Sequence, residues 1–179
     1  PAEVILRSHF AGFEHLRTET NASTLQEIWG LPQTAELKEM ALEKIARALA
    51  SCFLPRTDPA AGDCSALIRP LLNDLLQKEC YLEMKGPGNG APDWILAVRL
   101  EEERLRFWET NCARLFAGWQ LKKEFGTNPI AFGTLKSWFA LVSAPRPHTA
   151  FSELQGTHPI LKRIGTEGRP TAAAREYWL

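Results

Sequence analysis

Cysteine is scarce in this chain and has no pattern. The four residues, at 52, 64, 80 and 112, never fall at the C-x-x-C spacing of a zinc or redox site. Cys52, Cys80 and Cys112 lie among apolar neighbours, where a thiol packs as a small hydrophobe. That usage points to a reducing, cytoplasmic setting. Long hydrophobic runs are missing too: none approaches the ~20 residues of a membrane-spanning helix, so no membrane partner is expected. No signal-peptide pattern opens the sequence.

Catalytic signatures are equally absent. There is no G-x-S-x-G, no H-E-x-x-H, no Walker loop and no dinucleotide fingerprint. The glycines at 86, 88 and 90 lack the Lys-Ser/Thr ending of a phosphate cradle. His9 and His15 are six apart, a spacing that points them in different directions on a helix. His148 and His158 stand in a Pro/Gly-rich region, and with Glu153 they could form a His-based enzymatic site; partly buried structural histidines are the plainer reading. Cys64, near Asp63 and a helix start, has no histidine close by in sequence. No metal, cofactor or catalytic residue is assigned.

What is present describes an ordinary globular chain. Hydrophobic residues make up 45% and charged residues 23% of 179, with six Trp and nine Phe to build a core. Net charge is zero but uneven. Residues 1–93 carry nine Lys/Arg against thirteen Asp/Glu, and residues 121–179 carry eight against four. An uneven solvated surface accounts for this, as does an acidic partner for the C-terminal third.

The spacing of apolar residues predicts helices throughout. Val4, Ile5, His9, Phe10, Phe13 and Leu16 fall on one helical face over 2–19. Leu25, Ile28 and Trp29 form a short helix behind a cap at 21–23. Leu37, Ala41, Ile45, Ala48 and Cys52 give the next helix its core stripe, and Glu39, Glu43, Lys44 and Arg47 its wet side. A third helix opens at Ser65 and runs through Ile68, Leu72, Leu75, Leu76 and Leu82 to Met84-Lys85. Asp93 then caps a long central helix near 94–125, with a seam of Val98, Leu105, Trp108, Cys112, Leu115 and Trp119 that Glu101-Glu102-Glu103 interrupts. Leu135, Trp138, Phe139 and Val142 form a short helix, followed by pieces at 150–155, 159–164 and 171–179. No strand stands out. The expected fold is all-α, an irregular bundle of about six to eight helices. It comprises a main bundle at 1–126 with an exposed loop at 85–93, and a short-helix part at 127–179. The terminal Pro1 and the apolar Tyr177-Trp178-Leu179 suggest a fragment of a longer protein.

Two segments are candidates for function. Trp119, Lys122, Lys123, Lys136 and Trp138 interleave basic and aromatic residues over 119–139, the pattern that binds phosphates and stacks bases. Against a nucleic-acid partner stand the zero net charge and the absence of an arginine-rich run. The second segment is Met84, Lys85 and Gly86, where a helix runs into seven residues of Gly, Pro, Asn and Ala. An exposed loop of this kind is a connector or a site to be gripped or cut. A Met-Lys bond before such a loop resembles the protein substrate of the caspase-like peptidase of type III-E CRISPR systems. The resemblance implies cleavage after Met84, release of a regulatory partner including a sigma factor, and antiviral signalling with no catalysis in this chain. The functional expectation is a non-enzymatic helical interaction or regulatory module that binds another protein.

Overall fold

The computed structural model describes residues 3–53, 61–86, 93–119, 130–143 and 149–171. The chain is mixed α/β and not an all-α bundle. Five strands form one antiparallel sheet: β1 (Val4–Phe10), β2 (Cys80–Lys85), β3 (Asp93–Arg99), β4 (Ile130–Leu135) and β5 (Trp138–Ser143). Among the described residues there are seven α-helices. They are α1 (Phe13–Leu16), α2 (Ser23–Gly30), α3 (Pro32–Phe53), α4 (Ala61–Gln77), α5 (Glu102–Trp119), α6 (Phe151–Thr157) and α7 (Pro159–Glu167).

The chain divides into two compact units, one within 1–10, 80–112 and 122–179, the other within 11–79 and 113–121. In sequence, most of the helical unit is therefore an insertion between β1 and β2, with the second half of α5 belonging to it as well. The boundary expected at 126 falls outside the described residues.

In the sheet unit the strand order is β1-β2-β3-β5-β4. β3 pairs with β5 through Ile95↔Val142, Ala97↔Ala140 and Arg99↔Trp138, and β4–β5 is a hairpin around Lys136-Ser137. Lys136 takes the left-handed φ of 55° that this tight reversal demands. One face of the sheet buries Ile95, Ala97, Ala131, Trp138, Ala140 and Val142 under Leu154 of α6 and Ile160, Leu161 and Ile164 of α7. Gly133 makes this closure possible, because a Cβ there would lie 2.4 Å from the Phe151 ring. On the opposite face Trp108 of α5 tilts against Phe139, with ring centroids 5.3 Å apart.

Four of the five strands, β1, β2, β3 and β5, correct an expected helix, and each has its reason. Asp93–Arg99 (DWILAVR) and Trp138–Ser143 (WFALVS) lie in the middle of the sheet and bury side chains on both faces. Alternation between apolar and polar residues therefore vanishes, leaving an apolar run that periodicity cannot tell from a buried helix. The long helix near 94–125 accordingly starts only at Glu102, and Val98 of its supposed seam is a strand residue. Glu102 and Glu103 are the acidic first turn that favours a helix N-terminus, not an interruption. The third helix stops at Gln77, and Tyr81 and Glu83 then alternate inward along β2. No Gly or Pro separates the two elements. β1 replaces the first half of the helix expected over 2–19, its backbone paired to β2 from Phe10↔Cys80 to Val4↔Lys85. Helices α2, α3, α6 and α7 lie where their spacing put them, and α7 ends on Gly168 in the left-handed conformation.

In the helical unit α3 packs along α4. The side of α3 that goes inward is Leu42, Ala46 and Ala50, while Ile68 and Leu71 are buried on α4. Alanines at the contact let two helices approach at the short end of the usual 8–10 Å separation. Arg69 of α4 ties the pair by reaching Glu39 and Glu43. The stripe expected to be core, Leu37, Ala41, Ile45 and Ala48, points the other way and is exposed. Gly12, at φ 90°, sits against the end of α4, where a Cβ would come within 2.4 Å of the Gln77 carbonyl oxygen. Nearby, Phe13 stacks on Trp29 at 3.7 Å between centroids.

Candidate functional site

Met84 and Lys85 do not lead out of a helix into a loop. They belong to β2, where Met84 is matched with Leu6 on one side and Trp94 on the other, and Lys85 with Val4 and Asp93. Gly86 donates its N–H to the Glu3 carbonyl at 2.7 Å. A peptidase needs several residues in extended form with their backbone groups available, and here those groups are spent on two neighbouring strands. The remaining part of the expected loop, 87–92, lies outside the described residues.

The same strand carries the most polar cluster in the sheet unit. Glu83 is buried, and its Oε2 accepts a 2.6 Å hydrogen bond from the Tyr81 hydroxyl and a 2.9 Å bond from Arg7 Nε. Lys85 Nζ stands 3.7 Å from the other carboxylate oxygen. Burial pushes the Glu83 pKa up. The hydrogen bonds from Tyr81 and Arg7 and the positive charges of Arg7 and Lys85 outweigh it, so the carboxyl stays below its ordinary range. Burial and the bond to Glu83 raise the Tyr81 phenol in turn. An ionised carboxylate whose lone pairs are already claimed is a poor base. Chemically this is a clasp between the edge strand β1 and β2.

His158 stands between α6 and α7, and its buried Nδ1 has no hydrogen-bond partner among the described residues. Burial lowers its pKa, against opposing pulls from Asp93 and Glu83 and with Lys85 reinforcing the drop. Glu153, the acid proposed to join it, is exposed on α6, and His148 lies outside the described residues. No group of three His, Cys, Asp or Glu gathers to hold a metal among the described residues. Cys112 is buried, which pushes its thiol up to about 12, and Cys64 and Cys80 are partly buried and not disulfide-bonded.

Of the nucleic-acid candidates, the side chains of Lys136 and Trp138 are described. Trp138 is 1% exposed, with its indole N–H given to the Gly168 carbonyl at 2.8 Å, so its ring faces no base. Lys136 is exposed, and its ammonium reaches the Thr166 carbonyl. Trp119 ends α5, and Lys122 and Lys123 lie outside the described residues.

The surface that sequence reasoning missed is on the helical unit. Leu37 is 65% exposed and Ile45 48%, while Ala46, one step round the helix, is fully buried. Met40 and Leu49 on α3 and Leu25, Ile28 and Leu31 on or beside α2 are also exposed. Along one flank of α3 runs a cleft of about 1040 Å³ whose lining includes Lys44, Arg47, Ser51, Ser65 and Arg69. The signal in the sequence was a second stripe, Leu42-Ala46-Ala50, lighter than the one chosen as core. No family model matches the chain, and no curated protein or solved structure matches it.

Proposed function

We propose that this chain is a non-enzymatic interaction module that docks a partner protein on the outer face of α3. The observation that carries this is the division of α3: Leu37, Met40, Ile45 and Leu49 face water, while the buried side consists of Leu42, Ala46 and Ala50. Scattered exposed hydrophobes are ordinary, but Leu37, Ala41, Ile45, Ala48 and Leu49 follow one another at helical spacing along one stripe. Such a stripe supplies the i, i+4, i+8 anchors by which amphipathic helices recognise one another. Among the described residues no helix is long and apolar enough to cross a membrane. A cytoplasmic location belongs to the same proposal, with the lack of disulfides among the described cysteines in its favour.

The test compares wild type with Ile45→Glu as baits in an extract of the native host. Proteins held by the wild type and lost by the variant support the reading, provided both melt alike. An identical catch from both baits would falsify it. A cut after Met84, as the CRISPR resemblance implies, enters this proposal only as an event that follows release of β2 from β1 and β3.

A further inference from the structure

We infer that the partner is an acidic amphipathic helix, which lays an apolar face on the α3 stripe and directs a carboxylate to Lys44 at its edge. The inference rests on the docking reading above and adds the chemistry of the occupant. Among the described residues Lys44, Arg47 and Arg69 line the cleft beside the stripe with one acid, Glu43; Arg47 is paired with Glu43 and Arg69 with Glu39 and Glu43, which leaves Lys44 as the charge open to a partner. Glu43 is already engaged: its Oε1 takes the Arg47 Nε hydrogen bond at 2.8 Å, and its Oε2 faces Arg69 at 3.7 Å. Lys44 makes no ion pair among the described residues, and it is exposed next to Ile45 within the apolar face. An exposed ammonium at the border of an apolar stripe penalises a partner that brings another cation and rewards one that brings a carboxylate. Ser51 and Ser65 add hydroxyl groups to the same cleft. Alanines at 41 and 48 leave the centre of the stripe shallow, with room for a partner helix to seat larger side chains between Leu37 and Leu49.

The probe is a fluorescein-labelled peptide of Leu, Ala and Glu, about four turns long, with Leu at helical i, i+3, i+4, i+7 spacing. Its control is the same peptide with Lys for every Glu. Fluorescence anisotropy with the full chain is expected to give the acidic peptide about tenfold tighter binding. Lys44→Glu alone should narrow that gap by about fivefold, and Lys44→Glu with Arg47→Glu should reverse the order. Ile45→Glu should abolish binding of both peptides. If both bind equally and both are lost in Ile45→Glu, the docking face stands and the acidic partner is overturned. If binding ignores Ile45→Glu, the docking face itself fails and the inference with it. Failure of the acidic peptide to bind, or its displacement by a single-stranded oligonucleotide that binds the Ile45→Glu variant as well, also overturns the inference.

Discussion

The sheet unit and the helical unit handle their bulkiest apolar residues in opposite ways, although the edge strand β1 also exposes Val4, Ile5 and Leu6. In the first, the largest side chains are the most deeply buried: Trp108 and Trp138 are 1% exposed and Phe139 is fully covered. In the second, α3 buries alanines and holds Leu37, Met40, Ile45 and Leu49 out in water. A sheet with helices on its face has a wide interior that bulky rings must fill. A close helix pair has a narrow one, and small residues suit it better. Large apolar residues on the far side of such a pair therefore contribute little to the fold, and the proposed partner would bury them.

The contrast can be broken most forcefully in the sheet unit. Trp138→Ala removes a buried ring from the core and leaves the Gly168 carbonyl without its indole donor. A loss of about 3–5 kcal/mol is expected in urea or guanidinium denaturation; a loss under about 1 kcal/mol would mean that this core is not closed as described. Next in size is Gly12→Ala in the helical unit. It forces a Cβ onto the Gln77 carbonyl at a positive φ, and equilibrium unfolding should register a cost of about 1–3 kcal/mol.

A smaller effect depends on pH. The His158 pKa is lowered in the folded chain, so the unfolded chain binds the proton more readily. Its contribution is thus present above the unfolded value of about 6.5 and is lost as pH falls from there through the folded pKa. Glu83, also lowered, adds a second loss further down, between its unfolded value near 4.3 and its folded one. Denaturation midpoints measured from pH 8 down to pH 2 should therefore decline, and His158→Gln should flatten the upper part of that decline alone. A midpoint that rises on acidification would contradict the placement of both groups.

The smallest expected change concerns Met84-Lys85. Native-state limited proteolysis with mass mapping should leave this bond intact while β2 is paired on both sides. A first cut there would show that β2 opens readily.

The helices were legible in the sequence because their apolar spacing and stops agree: Gly30-Leu31-Pro32 ends α2, and Gly168 ends α7. The expected caps did not hold, since α2 follows Ala22 with no side-chain cap bond, Ser65 lies inside α4 and Asp93 opens β3. The sheet was not. DWILAVR and WFALVS read as apolar runs without alternation, since both faces of β3 and β5 are covered. CYLEMK follows α4 with nothing to mark the break, and the constraint that fixes it, Gly12 against Gln77, lies far away in sequence. Trp138 looked available for base stacking because interleaved lysines hide a strand's inward face. On α3 the spacing offered two stripes, 37-41-45-48 and 42-46-50, and hydrophobicity favoured the heavier one. Only the approach of α4, tied through Arg69 to Glu39 and Glu43, selects the lighter stripe as core.

That selection is the central claim, and adjacent residues test it. Glutamate substituted at Ile45 and, separately, at Ala46 should give opposite results in chemical denaturation of the full chain. Ile45→Glu, on the outer stripe, should stay within about 0.5 kcal/mol of wild type. Ala46→Glu buries a charge against α4 and should cost more than about 4 kcal/mol or unfold the helical unit. The reverse order would put the Leu37–Ile45 stripe in the core and remove the docking face.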